Sequence, residues 1–292
     1  AVQAYDTTVP VFGISSSPLV DGDQVIYVVG GEPDALVVAF DKMTGVEVWR
    51  AISVVSEMGY AQPMIIEAGG VRQLIIFHPT AVTSLSPDTG EIYWNQPFDV
   101  TGGLTISTPV RSGNSLFLTS FYSGSMMLRL NNDRPTASLL WKRVGGSELP
   151  EGTDSLHSII TTPIVDGDYI YGVDSYGELR GLDARTGDLL WTSDAMTTQA
   201  RWGSAFMVRH EDRYFVNNDD GFLIIARFTP GGYEELDRIH LIEPTSDAGF
   251  GPRKLFDRVV NWTHPAYANR HIITRNDNEV IRASLAAADY LN

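Results

Sequence analysis

Four short connectors in this chain of 292 residues are richer in aromatic, imidazole and guanidinium groups than the turns around them. They are Glu57-Met-Gly-Tyr60, His157-Ser-Ile, Arg201-Trp202-Gly and Asn261-Trp262-Thr-His264. Aromatic rings stack on flat molecules, the planar fork of arginine binds carboxylate and phosphate, and histidine adds a donor that charges near neutral pH. Tyr60, His157, Arg201, Trp202, Trp262 and His264 are therefore the candidates for holding a planar or anionic ligand.

Composition closes off other chemistries. The chain has no cysteine, which excludes disulfides, thiolate zinc sites and cysteine nucleophiles. Its six histidines, at 78, 157, 210, 240, 264 and 271, form no H-E-x-x-H pair, and no G-x-S-x-G elbow accompanies them. His78 and His271 fall inside strand patterns and read as structural. Asn217-Asn218-Asp219-Asp220-Gly221 has the oxygen-rich look of a calcium loop but lacks the following glutamate, and it aligns with an ordinary turn, so no metal site is expected. A net charge of −15, from 36 acidic and 21 basic residues, repels phosphate backbones and anionic lipid, which argues against a nucleic-acid partner. No window approaches the ~20 apolar residues of a membrane-spanning helix. The opening residues AVQAYDTTVP lack the layout of a signal peptide.

The elements that must position the candidates come from a repeat. Asp41-Lys-Met-Thr44-Gly45-Val-Glu-Val-Trp49 returns as Asp183-Ala-Arg-Thr186-Gly187-Asp-Leu-Leu-Trp191. A third copy, Ser86-Pro-Asp-Thr89-Gly90-Glu-Ile-Tyr-Trp94, changes only the first position. A fourth, Asp133-Arg-Pro-Thr136-Ala137-Ser-Leu-Leu-Trp141, changes glycine to alanine. The tryptophans are 45, 47 and 50 residues apart. A second marker, a small or hydroxyl residue near a proline and then an apolar pair, recurs at Pro18, Pro63, Pro109, Pro163 and Pro265, with a degenerate copy at Gly203-Ser-Ala205. In the fifth copy Leu236 takes the place of the tryptophan.

Six copies are visible, and each reads as four short strands joined by tight turns such as Asp166-Gly167, Tyr176-Gly177 and Thr186-Gly187. Four-stranded units at a period near 45 predict an all-β propeller of antiparallel blades. In each blade the aspartate opens the last turn, threonine supports it and glycine accepts positive φ. The tryptophan then fills the gap between blades. On this reading Trp191 packs between blades, and its truncation is expected to cost more stability than that of Trp202.

The motifs A-x-D-x-x-T-G-x-x-x-W and S-x-P-x-V-x-G-D resemble the PQQ-like repeat family from residue 15 to about 285. The resemblance implies one propeller domain over 1–292, part of a seven- or eight-bladed ring. Residues 1–14 read as the connector after an earlier blade, and the last copy, Glu279-Val-Ile-Arg-Ala-Ser-Leu285, stops before a T-G-x-x-x-W strand. One or two N-terminal blades are therefore expected to be missing, with a complete six-bladed ring as the alternative.

In quinoproteins of this shape the cofactor lies over the central channel, cradled by loops that enter the innermost strands, and the four connectors fall at those loops. The six candidates are accordingly expected to share one concavity at the channel mouth; the alternative is that they plug the channel. The alcohol-dehydrogenase branch uses a vicinal cysteine pair that this chain lacks, and no carboxylate-plus-amide set for calcium is evident. No cofactor is expected, and PQQ with calcium stands second. The resemblance implies a bacterial, periplasmic or secreted setting and a non-catalytic scaffold or binding module for protein or carbohydrate. Behind it stand a PQQ-dependent oxidoreductase and a propeller enzyme acting on polysaccharide at the channel mouth. Two long connections, 145–154 and 241–260, read as partner-facing loops or solvated insertions.

Overall fold

The computed structural model of the chain describes residues 3–53, 57–250 and 253–286. Positions 1–2 of the leading connector and 251–252 of the second long connection lie outside the described residues. The chain folds as a β-propeller. Five sheets, spanning 19–51, 64–97, 110–143, 164–193 and 205–240, each hold four antiparallel strands in chain order. These are the first five blades. Helix among the described residues is confined to two short 3-10 turns, Thr101–Gly103 and Pro150–Gly152.

The sixth sheet, at 266–284, has three strands, and its outer strand Val280–Ser284 pairs with His271–Arg275 alone among the described residues. Between the fifth and sixth sheets the expected loop is in fact a hairpin, Ser246–Phe250 with Arg253–Val260. A segment of this length carries too many backbone donors and acceptors to leave to solvent, and strand pairing satisfies them.

The repeat motif proves to be a joint between neighbours. Within a copy, Asp41 Oδ1 accepts from the Met43 and Thr44 amides at 3.1 and 2.7 Å and from the Thr44 hydroxyl at 2.8 Å. These bonds hold the Asp41 carboxyl below its usual range, the Thr44 hydroxyl contributing most. A one-residue register shift directly follows the tryptophan's partner in each of the first four blades, at Ala39/Phe40, Ser84/Leu85, Met127/Leu128 and Gly181/Leu182. Such a bulge twists the outer strand and re-aims its side chain.

The indoles then reach forward. Trp49 Nε1 donates to Pro87 O at 3.0 Å, Trp141 Nε1 to Ala184 O at 2.9 Å, and Trp191 Nε1 to Thr229 O at 2.9 Å, in each case in the last turn of the next blade. Two of these rings lie directly on the glycines of those turns: a Cβ on Gly90 would come within 2.6 Å of Trp49, and one on Gly187 within 2.8 Å of Trp141. Trp94 instead bonds Gln73 of its own blade at 2.8 Å and shares an apolar cluster with Ala137 of the next. The proline markers stitch the channel side in the same direction, Ser16 Oγ donating to Ala61 O at 3.3 Å and Ser107 Oγ to Thr161 O at 2.9 Å.

Gly45 differs from its counterparts, since a Cβ there would meet nothing within 4 Å. Its φ of +70° matches the +74° of Gly90, so alanine carries the same backbone strain at both places. Gly45→Ala should therefore cost about 1–2 kcal/mol, the left-handed penalty alone. Gly90→Ala should add a further ~1–3 kcal/mol for pushing the Trp49 ring aside. Equal midpoint shifts in urea unfolding would show that the indole contributes nothing to the seam.

Candidate functional site

The residues that precede the innermost strands converge on one end of the channel. Phe12, ahead of the first blade, lies 5.7 Å from the ring of Tyr60, ahead of the second, and 5.7 Å from Trp202, ahead of the fifth. Trp202 lies 6.2 Å from Trp262, ahead of the sixth. Tyr60 and Trp202 are buried in one apolar cluster with Leu104 and Ile159, which precede the third and fourth blades. Radial symmetry has brought positions as far as 250 residues apart in sequence to one point.

Trp202 is the hub. Its backbone is left-handed, with φ of +62°, and is fixed there by its amide donating to Ser175 O at 2.7 Å and its carbonyl accepting from Ser204 Oγ at 2.8 Å. Its ring meets Phe121 edge-on at 6.2 Å. Beside it the Arg201 guanidinium lies 4.9 Å over Phe121 and donates to the hydroxyls of Tyr122 and Tyr176 at 2.9 and 3.1 Å. Glu148 Oε1 stands 4.0 Å from the same guanidinium, so the positive charge at the mouth is partly offset. Trp262 is half-buried and donates through Nε1 to Asp219 Oδ2 at 3.4 Å. Asp219 is buried, and desolvation raises its carboxyl even though Arg258 Nη2 bonds Oδ2 at 2.6 Å.

Tyr60, Arg201, Trp202 and Trp262 are thus brought together, and two candidates are not. His157 is fully buried beneath the hub, where Nδ1 donates to Phe121 O at 2.8 Å and Nε2 accepts from Thr153 Oγ1 at 3.1 Å. Burial holds it below the usual imidazole range, and therefore neutral. It is a brace for the loop that carries Phe121. His264 is exposed and packs its ring 4.0 Å from Phe206, with no ring contact to the other candidates among the described residues. Of the four that meet, Tyr60 and Trp202 are buried and Arg201 and Trp262 are half-buried beside them.

Five participants have no counterpart among the candidates: Phe12, Phe121, Tyr122, Tyr176 and Glu148. Tyr122 and Tyr176 sit at corresponding turns between the second and third strands of their blades, a repeat position that a search for convergence could have singled out. The expected ranking of the tryptophans also needs correcting, because Trp191 is only half-buried while Trp202 is 7% exposed. His78 is buried as a strand residue should be, with Nε2 donating to Thr83 Oγ1 at 2.8 Å, and that hydroxyl passes its own proton to Asn95 Oδ1 at 2.6 Å.

Fold and repeat together define a PQQ-like repeat β-propeller. The family model described as outer membrane protein assembly factor BamB matches residues 4–193, more than half of the chain, and the chain belongs to that family. Among solved structures it is similar to BamB from Moraxella catarrhalis, with a TM-score of 0.60 at 16% identity over 92% of this chain and 69% of that one. It is similar also to the quinohemoprotein alcohol dehydrogenase from Comamonas testosteroni, with a TM-score of 0.59 at 11% identity over 95% of this chain and 53% of that one. A computationally designed protein, Ika8, gives 0.57 at 13% identity, over 92% of this chain and 70% of its own. At these identities the structural likeness concerns the fold alone. No curated protein sequence matches the chain.

Proposed function

We propose that this propeller is a non-catalytic binding module that offers the channel mouth to a polypeptide partner in an extracytoplasmic setting. The observation that carries the reading is the aromatic patch itself: Trp262, Tyr122, Tyr176 and Arg201 lie half-buried around the buried Trp202, with Phe12 40% exposed beside them. Aromatic residues and arginine are the side chains that anchor protein interfaces. PQQ with calcium fits these residues poorly. Arg201 is engaged by two tyrosines, the ring of Trp202 is covered by Phe12 and Phe121, and among the described residues no three histidine, aspartate or glutamate side chains cluster as ion ligands. No helix among the described residues is long and apolar enough to cross a membrane. A net charge of −15 favours a basic partner segment. A ring with one or two further blades accords with the space over Gly45 and the pairing of Val280–Ser284 on one side alone, both among the described residues.

Peptides selected from a random library against the whole chain should bind at the mouth. Combining Arg201→Ala with Trp262→Ala should weaken them at least ~10-fold, the loss expected from two interface anchors, while cooperative unfolding is kept. Stoichiometric binding of PQQ and calcium, lost in the same double variant, would overturn the reading in favour of an oxidoreductase.

A further inference from the structure

We infer a second binding site, independent of the mouth patch, for a carboxylate carried on a ring. A cavity of about 410 Å3 opens between the fifth and sixth blades, at the ends of their innermost strands remote from Trp202 and Trp262. Its wall is a row of rings: His210 lies 5.8 Å from Phe215 at 30°, and Phe215 lies 5.5 Å from Tyr267 at 32°. Its rim carries Arg209, His210, Arg270 and His271.

Among the described residues no carboxylate lines this cavity, in a chain with 36 acidic and 21 basic residues. The groove between the second and third blades carries Glu67, that between the third and fourth carries Asp168, and the one beside the hairpin carries Asp220, Glu243 and Asp247. Two of the basic side chains here are already committed. Arg209 pairs with Asp166 at 2.5 Å, and His271 faces Asn269 O through Nδ1 at 2.8 Å and Arg282 through Nε2 at 2.9 Å. Arg270 has no carboxylate partner among the described residues. Among the described residues His210 uses its ring only in the stack.

The backbone gives a second, independent indication. The turn between the first and second strands has a left-handed glycine in each of the first four blades, at Gly22, Gly69, Gly113 and Gly167. In the two blades that flank the cavity the left-handed positions hold Glu211, at φ of +55°, and Asn269 and Arg270, at +51° and +59°. Glycine would relieve that strain. A strained arginine facing a cavity free of acid is a residue kept for its side chain. Its fork suits a carboxylate, with the His210 ring as a second donor and the Phe215 and Tyr267 rings as the platform for the ligand's own ring. The cavity's size falls in the range of small-molecule sites.

Calorimetric titration of the whole chain tests this with 2-naphthoate and a galacturonate trimer, and with 2-naphthamide and maltotriose as the neutral controls. One of the two acids should bind with a Kd below ~1 mM and at least ~10-fold more tightly than its control. Naphthoate as the binder identifies an aromatic acid, and the trimer identifies a uronate. Arg270→Gly, which relaxes the turn, should melt no lower than the wild type yet lose at least ~10-fold in affinity. The variant with Arg201→Ala and Trp262→Ala should bind as the wild type does. The inference is overturned if neither acid binds at ~10 mM, if the neutral controls bind equally, if Arg270→Gly retains affinity, or if the mouth variant loses it.

Discussion

Replacing Arg180 with methionine should destabilise the protein by about 3–5 kcal/mol, the cost of stripping a buried charge of its partner. Arg180 is 1% exposed. It donates from Nε to Glu178 at 2.8 Å, from Nη1 to Thr153 O at 3.0 Å and to Ser155 O, and from Nη2 to Pro150 O at 3.3 Å. Its Nη2 also lies 3.4 Å from Asp174 Oδ2. One side chain thereby fastens the long connection 145–154, which delivers Glu148 to the mouth. Burial raises the Asp174 carboxyl to about 6, and Arg180 pulls in the opposite direction.

The sign of the pH dependence follows from that shift. Because the native carboxyl binds its proton more readily than the unfolded one, this group makes the native state less stable as pH climbs through the window from about 4 to 6. Without Arg180 the pKa goes higher still, and the window extends upward. The gap between variant and wild type should therefore narrow from pH ~7 to pH ~5, as protonation removes the orphaned charge. Chemical denaturation at the two pH values measures it. A loss under ~1 kcal/mol at neutral pH, or a gap indifferent to pH, would show that the connection holds itself in place.

Trp202→Ala should cost about 3–5 kcal/mol, the range for emptying a large aromatic site in a packed core. The ring is 7% exposed and contacts Phe12, Phe121 and Trp262, which come from three different connectors or turns. Trp191→Ala removes a half-buried ring with one bond to Thr229 O, and its loss should be clearly smaller. Guanidinium unfolding of the two variants side by side gives the ranking. A larger loss at Trp191 would mean that the blade seam, and not the mouth, holds the ring together.

The fold was legible because its information is local and repeated. A turn that needs Asp41, Thr44 and Gly45 announces itself at each copy, and the distance from Trp49 to Trp94 counts the residues of one blade. The site was legible only where it followed the same periodicity. Tyr60, Arg201, Trp202 and Trp262 meet because equivalent connectors meet. His157 shares that position, yet its side chain turns beneath the hub, an outcome set by Thr153 in the long connection and by the Phe121 carbonyl, neither of which is part of the repeat. Tyr122 and Tyr176 read as turn residues beside Ser123-Gly124 and Gly177, and only the closure of the fold shows which way their rings face. The hairpin at 246–260 gave no periodic signal, since its strands belong to no copy.

The indole on the following glycine makes the seams at Gly90 and Gly187 directional. Within one blade the last hairpin supplies both halves of the joint: the turn at Gly90 is a socket for Trp49, and the strand after it presents Trp94 as a plug to the next. A unit cut at any phase of the period keeps one plug and one socket, so whole copies can be gained or lost in a gene without redesigning a single seam. Drift can then act on one member at a time, as with alanine at 137 and leucine at 236, while its neighbours stay matched. The socket at Gly45 holds no plug among the described residues, and it has the shape that any further copy of this unit would fill.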